Sequence, residues 1–418
     1  MKKIFVTPVL IFLVIFLVNA QTVTAQLPSV SIGNGWVDNG NTVRLRTDSD
    51  SVGIGTRNPT QKVEINGGLR LNTADTQPVC DDNARGTQWF RQESTGDSLE
   101  VCKFVGVPFA TLQGAQLPSK RSGLSCAQDS SSYRQYCFGG AYYDTSVEYN
   151  PKNDSIASKN GRLPTARAFL SCSEDTSSNK IYCFGGSTGG YGYGEVGLND
   201  IVEYNPLTDS ATTKTAILPS PRLGLSCAQD SSTNKIYCFG GLATNGVHLD
   251  EILEYDPSGD NIIVKAAKLP TGRYGLSCAE DTSTHKIYCF GGDVNYGSQG
   301  YQSDILEYDP LADVLIVKTR SLPEAVVYSS CAFSANNFYC VGGRMPGSIN
   351  SNQIVRYDPA ADTTSISSFP KEFDQSSCSQ DSSSGKIYCF GGEEFNESAF
   401  SSDIFEVNPV GLQWVPID

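Results

Sequence analysis

Residues 225–241 read LSCAQDSSTNKIYCFGG, and nearly the same sequence stands at 170–186 and again at 276–292. Three weaker copies begin elsewhere in the chain, at Leu124, Ser330 and Ser377. The first cysteines of the six copies follow one another at steps of 46, 55, 51, 53 and 47 residues. Self-similarity at a fixed period is the signature of a repeat architecture, so the chain must be interpreted repeat by repeat.

Each repeat divides into four short segments with the composition of β-strands. Strand a is the GLSCA-type segment, strand b is KIYCF followed by two glycines, strand c is typified by DILEYDP at 304–310, and strand d by VLIVKT at 314–319. Gly, Pro, Asn and Asp separate the segments, and no segment keeps a helical period. Because a period near 50 residues is typical of propeller blades, the sequence predicts an all-β, six-bladed propeller over residues 108–418.

Twelve of the fourteen cysteines are paired inside the repeats. Five pairs are separated by eleven positions and one by nine: Cys126 with Cys137, Cys172 with Cys183, Cys227 with Cys238, Cys278 with Cys289, Cys378 with Cys389, and Cys331 with Cys340. Opposed residues of an antiparallel hairpin keep a constant sum of positions, so removing two turn residues leaves the cysteines facing each other. We therefore predict one disulfide between strands a and b of every blade, each worth roughly 3 kcal/mol in the chain-entropy model. Thiolate metal sites are the alternative, but the close C-x-x-C pairs that zinc prefers are missing from the sequence.

Composition and the N-terminus predict an exported protein. Lys2 and Lys3 precede an apolar run over residues 4–18, which is shorter than the roughly 20 residues of a spanning helix. We predict a signal peptide over residues 1–25, cut after Ala20 or Ala25, and a secreted or cell-surface protein with no membrane span after cleavage; an uncleaved anchor is the alternative. The net charge of -14 argues against nucleic acid as a partner.

The repeat resembles the kelch motif. IYCFGG, then an acid-x-x-Glu-Tyr-Asn/Asp-Pro segment, then LP-x-x-R recur over about residues 108–418. The resemblance implies a six-bladed propeller with strand a innermost. It departs from the motif where kelch repeats carry a Trp seven residues after the Tyr, since the chain has Ile156, Ala211, Ile262, Leu315 and Thr364, and keeps only Trp414. We therefore expect aliphatic packing between most blades.

Two segments compete for the last strand of blade six. PFATLQ at 108–113 precedes the first repeat, and LQWVP at 412–416 ends the last repeat. We favour the C-terminal segment, because it follows its own strand c and keeps the Trp.

Residues 26–107 form a small N-terminal β module of a different kind. The segment at 51–71, SVGIGTRNPTQKVEINGGLRL, resembles β-repeats of phage tail fibres and bacterial surface adhesins, which implies a trimeric stalk and hence a homotrimer. The segment at 80–102 resembles a two-cysteine β module, with Cys80 and Cys102 as a seventh disulfide. A disulfide-closed linker domain is the alternative.

Candidate binding residues cluster at one end of the predicted ring. The b–c loops vary in length and carry aromatic residues suited to sugars or proteins, namely Tyr142, Tyr191, Tyr193, Tyr296, Tyr301 and Phe395. The d–a connections bring the arginines of LP-x-x-R to the same end, namely Arg121, Arg167, Arg222 and Arg273. Four guanidinium groups could bind a carboxylate; the alternative is that they pair with acids of neighbouring blades.

The sequence favours a binding module for a glycan or an extracellular protein over an enzyme. No Ser/His/Asp constellation, HExxH motif or phosphate loop is present, so we predict no catalytic residue, cofactor or metal. Copper oxidases with kelch repeats need two His ligands, and here His285 falls in an a–b turn at the opposite end from the variable loops. A sugar-processing enzyme similar to kelch-type sialic-acid mutarotases is the alternative, because it would use Arg and Glu near the channel.

Overall fold

The computed structural model describes most of the repeat region in full and the rest of the chain in part. Side chains are described for residues 108–141, 143–188, 196–295, 300–394 and 400–409. Outside these, the backbone is described for strands at Trp36–Asp38, Val43–Leu45, Val52–Ile54, Val63–Ile65, Gln88–Arg91, Ser98–Phe104 and Leu412–Pro416. Every regular element in these ranges is a strand, and no helix there could cross a membrane.

The chain forms two compact units. In the first, Trp36–Asp38 pairs antiparallel with Val43–Leu45, and Val52–Ile54 pairs parallel with Val63–Ile65. The second comprises Pro78–Gln88 and Leu99–Asp418 and contains the repeats. A domain boundary at residue 107 and the stalk hypothesis for residues 51–71 stay predictions.

The repeats build six antiparallel sheets, in each of which four main strands are ordered a-b-c-d. Blade 1 consists of Leu124–Asp129, Arg134–Gly139, Ser146–Asn150 and Ser155–Ser158, and blade 2 of Ser171–Asp175, Lys180–Phe184, Val196–Asn205 and Ser210–Leu223. Blade 3 consists of Ser226–Asp230, Lys235–Phe239, Glu251–Asp256 and Asn261–Lys268, and blade 4 of Ser277–Asp281, Lys286–Phe290, Asp304–Asp309 and Val314–Ser321. Blade 5 consists of Ser330–Ser334, Asn337–Val341, Gln353–Asp358 and Thr363–Ser368, and blade 6 of Ser377–Gln380, Ile387–Phe390, Ile404–Asn408 and Phe109–Leu112. The prediction of an all-β, six-bladed propeller is confirmed.

The b–c loops also contain short strands of two residues each. They are Ser187–Thr188, Leu242–Ala243, Arg344–Met345, Ile349–Asn350, Glu393–Glu394 and Ala399–Phe400. All of them follow the double glycine of their blade, so they lie at the end of the ring from which the b–c loops leave.

The ring is closed by the N-terminal strand, so the preference for the C-terminal strand was wrong. Phe109–Leu112 pairs with Ile404–Asn408, whereas Leu412–Pro416 pairs with Ser98–Phe104. The reason lies in the c–d turn, which in blade 6 differs in sequence from the turns of the other five blades.

An Asp in the c–d turn explains why the other five hairpins form. Five tyrosines of strand c donate a hydroxyl hydrogen bond to an Asp five residues later, in the pairs Tyr149/Asp154, Tyr204/Asp209, Tyr255/Asp260, Tyr308/Asp313 and Tyr357/Asp362. Each Asp also accepts backbone N–H bonds from the preceding blade; Asp154, for example, accepts from Gly114 and Ala115, just after the strand that closes blade 6. Blade 6 has Val407 and Leu412 at these two positions and lacks the turn signal.

All six predicted disulfides within the blades are present, with Cα–Cα distances of 4.0 or 4.1 Å. They join Cys126 to Cys137, Cys172 to Cys183, Cys227 to Cys238, Cys278 to Cys289, Cys331 to Cys340, and Cys378 to Cys389. The predicted pair of Cys80 and Cys102 lies outside the described side chains.

The cysteines of these bridges belong to the core and not to an accessible surface. Those of strand b are at most 3% exposed, namely Cys137, Cys183, Cys238, Cys289, Cys340 and Cys389. They are buried because each blade is covered on both faces by its neighbours, and their clusters include residues of the adjacent blade. Their part in the molecule is therefore to join strands a and b, and a ligand at the surface would not touch them.

A second contact ties each disulfide to the next blade of the ring. The two cysteines form a non-hydrogen-bonded pair, so the backbone N–H of the first points away from strand b, into the channel. The serine before the first cysteine of the preceding blade accepts that N–H at 2.8 or 2.9 Å; the six serines are Ser125, Ser171, Ser226, Ser277, Ser330 and Ser377. The inner strand edges are thereby satisfied around the whole ring.

Aromatic side chains carry the packing between blades, which corrects the expectation of aliphatic packing. Tyr255 of blade 3 meets the rings of Tyr182 and Phe184 of blade 2 at 5.4 and 5.5 Å between centroids. The residue at the kelch Trp position, Ile262, is only half-buried against the same cluster. The strand c tyrosine, and not the residue at the Trp position, supplies the aromatic contact with the neighbouring blade.

Candidate ligand-binding site at the mouth of the channel

A closed ring of backbone hydrogen bonds marks the end of the channel on the side of the b–c loops. It is formed by the residue three positions before the first cysteine of each blade: Gly123, Phe169, Gly224, Gly275, Tyr328 and Gln375. Each N–H donates to the carbonyl oxygen of the preceding blade at 2.7–3.2 Å. All six residues have φ between 53° and 64°, a conformation that costs a non-glycine residue about 1–2 kcal/mol. Phe169, Tyr328 and Gln375 are held there against that cost.

The three side chains on this ring form the floor of the mouth. Phe169 belongs to blade 2 and Tyr328 to blade 5, on opposite sides of a six-bladed ring, yet their ring centroids are 5.5 Å apart. Tyr274 packs edge-on against Tyr328 at 5.8 Å. Such contact across the ring means that these aromatic groups occupy the axis at this end.

The wall of the mouth is built by two positions of each repeat, which meet by backbone bridges. One is the residue after the LP-x-x-R position and the other is the residue after the double glycine; the pairs are Ser122/Ala141, Ala168/Ser187, Leu223/Leu242, Tyr274/Asp293, Val327/Arg344 and Asp374/Glu393. Blades 1 to 3 place small or apolar residues there. Each of blades 4 to 6 places at least one charged residue there, so the two halves of the wall differ in charge.

We call Asp293, Arg344, Asp374 and Glu393 the acidic sector. Asp374 is fully buried, and its Oδ2 lies 2.6 Å from Nη2 of Arg344. The same Nη2 lies 3.5 Å from Oε2 of Glu393, which also accepts a hydrogen bond from Nε2 of Gln375 at 3.2 Å. Burial raises the pKa of Asp374 to about 7, with Arg344 opposing this and Glu393 reinforcing it.

Tyrosines connect Asp293 to the rest of the sector. The Tyr274 hydroxyl donates to Oδ2 of Asp293 at 3.1 Å. Tyr301 forms a backbone bridge with Asp293, and its hydroxyl lies in the field of Arg344, Asp293 and Asp374. Burial is the largest cause of the raised pKa of Tyr301. The charged groups of the sector therefore lie close enough to act on the same tyrosines.

The four predicted arginines all lie at this end, but their side chains are at most 2% exposed and are engaged by their own blade. Arg167 and Arg273 bind Asp200 and Asp304 bidentately, and Arg222 binds Glu251 at 2.7 Å. Each arginine, Arg121 included, also donates to the carbonyl oxygen of the first glycine of its GG pair. Their ligand role stays a prediction, and the geometry gives each one a structural task.

Of the predicted aromatic residues, Tyr301 is half-buried in the acidic sector. The other five lie outside the described residues: Tyr142, Tyr191, Tyr193, Tyr296 and Phe395. Their ligand contacts stay predictions.

One grouping of possible metal ligands occurs in the described part of the chain, at the opposite end of the ring. Asp230, Glu280 and His285 bring one ligand atom each within 4.8 Å of the others. However, both carboxylate oxygens of Asp230 already accept hydrogen bonds from Ser232 and Thr233 of its own turn. The grouping is explained by the a–b turn and does not define a site.

The acidic sector was missed in the sequence, although a signal was present. The residue after the double glycine reads Ala, Ser, Leu, Asp, Arg and Glu in blades 1 to 6. Charge varies there directly after two glycines that every repeat keeps. Because the charge of this residue differs between blades while the double glycine does not, the fold does not determine which residue stands there.

Comparisons with known proteins agree with this architecture, although no protein-family model matches the chain. A stretch of 162 residues, 39% of this chain, is 25% identical to Kelch-like protein 35 of Mus musculus and covers 26% of it. A stretch of 224 residues, 49% of this chain, is 24% identical to Kelch repeat and BTB domain-containing protein 12 of Danio rerio and covers 36% of it. The chain therefore spans only about a quarter to a third of these relatives.

Among solved structures, that of YjhT superposes with a TM-score of 0.59 at 14% identity, over 72% of this chain and 99% of that one. At this identity the likeness shows the fold alone. The two kelch-repeat relatives, the six repeats and their closed ring together identify the chain as a six-bladed kelch-repeat β-propeller.

Proposed function

We propose that this propeller is an exported binding module that recognises a glycan at the mouth of its channel, through the b–c and d–a loops. The acidic sector carries the proposal, because charged residues replace small or apolar ones at wall positions that the fold leaves free. An extracellular protein ligand is the alternative partner.

The chemistry of the mouth supports a polar ligand of limited size. Phe169, Tyr274 and Tyr328 present aromatic groups, and aromatic groups pack on the apolar faces of sugar rings. Carboxylates and a guanidinium beside them suit hydroxyl groups, since hydrogen bonds to charged groups are the stronger ones. The site is concave, because the aromatic floor is surrounded by the wall residues of the blades. A concave site of this kind favours a saccharide over a flat protein surface.

Export is supported by the cysteines. Six disulfides point to an oxidising environment. The signal peptide over residues 1–25 and a secreted or cell-surface location remain parts of the proposal, as does a homotrimer formed by the N-terminal module.

A glycan array with the labelled full-length chain tests the proposal. We expect discrete saccharides to bind, and Tyr301→Ala at the mouth to abolish the signal. His285→Ala is the matched control, because that side chain is exposed at the opposite end. Equal loss in both variants, or binding unaffected by Tyr301→Ala, would contradict a site at the mouth.

A sugar-processing enzyme is the second candidate. It is favoured by the pKa of Asp374, raised by burial to about 7, in the range of a general acid or base. Three of the four arginines on which that alternative rested, Arg167, Arg222 and Arg273, are paired with a carboxylate of their own blade. Anomer exchange followed by NMR on each saccharide that binds would reveal turnover, and its absence on all of them would count against an enzyme.

A further inference from the structure

We propose that the acidic sector binds a primary ammonium group of the ligand. This inference rests on the proposed function, since it names the chemical group that the mouth selects. It concerns Asp293, Asp374 and Glu393, none of which the sequence pointed to.

Charge balance is the first step. Asp374 and Glu393 lie beside the single guanidinium of Arg344, and both Asp374 and Asp293 act electrostatically on Tyr301. The nearest other cation on blade 6, Lys371, is already held by Glu394 at 2.5 Å and by Asp403 at 2.7 Å. The sector therefore carries an excess of negative charge, and a ligand with a positive group would reduce it.

A buried acceptor that lacks a partner is the second, independent observation. Asn350 is 2% exposed, and its Nδ2 donates to the backbone oxygen of Glu393 at 2.9 Å. Among the described residues no donor reaches its Oδ1. A buried acceptor is costly to leave unsatisfied, and an ammonium group offers three N–H donors.

Aromatic groups are the third feature. Tyr274, Tyr301 and Tyr328 lie among the charges of the sector. A cation over an aromatic face gains further attraction, which increases as water is excluded. Carboxylates, a free amide oxygen and tyrosines together match an organic ammonium ion.

A bare metal ion fits the sector less well. In the part of the chain that the structure describes, the ligand atoms of Asp293, Asp374 and Glu393 do not gather within 4.8 Å of one another. Arg344 lies between two of them. The spacing suits a larger cation that makes several separate contacts.

Two sources could supply the ammonium group, an amino sugar or a lysine side chain of a protein. Calorimetry at about pH 7 and moderate salt would compare the glucosamine trisaccharide with its tri-N-acetyl form, and trilysine with its ε-acetylated form. We expect the amine form of one source to bind and its acetylated form to bind at least about tenfold more weakly, because acetylation removes the charge. The source that binds identifies the ligand class.

Site variants separate specific binding from attraction to a chain of net charge -14. Glu393→Gln should weaken binding about tenfold, as expected for a lost charge-assisted hydrogen bond. Asp250→Asn is the control, because this carboxylate lies at the same end but is exposed and paired with Lys268 at 3.1 Å; it should bind like the unmodified chain. Thermal unfolding would verify that both variants are folded.

Equal binding of amine and acetylated forms, no binding of either amine, or no effect of Glu393→Gln would overturn the ammonium inference. A saccharide that still binds the array and is lost in Tyr301→Ala would leave the proposed function standing. Failure of every saccharide and peptide would overturn both.

Discussion

The two ends of the propeller differ in how strictly the blades repeat. At the end of the a–b turns, five blades use the same buried Asp to accept hydrogen bonds from the Ser or Thr hydroxyls two and three residues later; Asp281, for example, accepts from Ser283 and Thr284 at 2.6 and 2.8 Å. At the mouth the blades differ in charge, size and backbone strain. Uniformity marks what every blade needs in order to fold, and divergence marks where the chain is free to bind something.

The largest expected effect tests whether the mouth also contains residues that only stabilise. Arg273→Met should lower the free energy of unfolding by about 3 kcal/mol, because it leaves Asp304 and the carbonyl oxygen of Gly291 without their donor. Urea unfolding measures the change.

Arg162→Met is the matched control, since it removes an ion pair with Asp144 in which the arginine is 57% exposed. Its effect should stay below about 1 kcal/mol. Similar losses in the two variants would show that the buried arginines contribute no more than surface ones.

The sequence was sufficient for what repeats. Six copies of one hairpin, each with a cysteine pair, predicted the strands, the disulfides and the number of blades, because local spacing determines register. Even the error about ring closure was avoidable, since Val407 and Leu412 replace the Tyr and Asp of the other c–d turns.

The candidate site was less predictable for a physical reason. Asp293, Arg344, Asp374 and Glu393 are far apart in sequence and meet only because the ring is closed. The arginines of LP-x-x-R were recognised, but whether a guanidinium faces a ligand or an internal carboxylate depends on strand c of the same blade. Repeat comparison locates such positions but does not show which groups touch.

The next prediction concerns the uniform end. Burial raises the pKa of Glu174, whose Oε1 accepts the Ser130 N–H at 2.7 Å, to about 7. The folded state then holds this proton more tightly than the unfolded state, so the group's contribution to stability falls as pH rises from about 4.5 through about 7. Blade 3 has Gln229 at the same position, which accepts the Thr176 N–H without any charge.

Glu174→Gln should therefore raise the free energy of unfolding by about 2 kcal/mol at pH 8 and change it little at pH 4. Denaturant titrations at the two pH values measure this. Glu324→Gln, at an exposed site, should change stability by less than about 0.5 kcal/mol at either pH. A gain of equal size at both pH values would mean that ionisation of Glu174 is not responsible.

The smallest expected effect returns to the mouth and its hydrogen-bonded ring. Gly224→Ala should cost about 1 kcal/mol, because the residue has φ of 63° and a Cβ there would lie 3.2 Å from Tyr274. Gln375 already has a Cβ at its ring position, so Gln375→Ala introduces no new strain there. It should therefore lower the free energy of unfolding less than Gly224→Ala does, although it removes the hydrogen bond to Glu393. Thermal unfolding ranks the two variants. If Gln375→Ala were the more destabilising, the side chain of Gln375 would be needed to form the hydrogen-bonded ring. The non-glycine residues of that ring would then serve stability and not ligand binding.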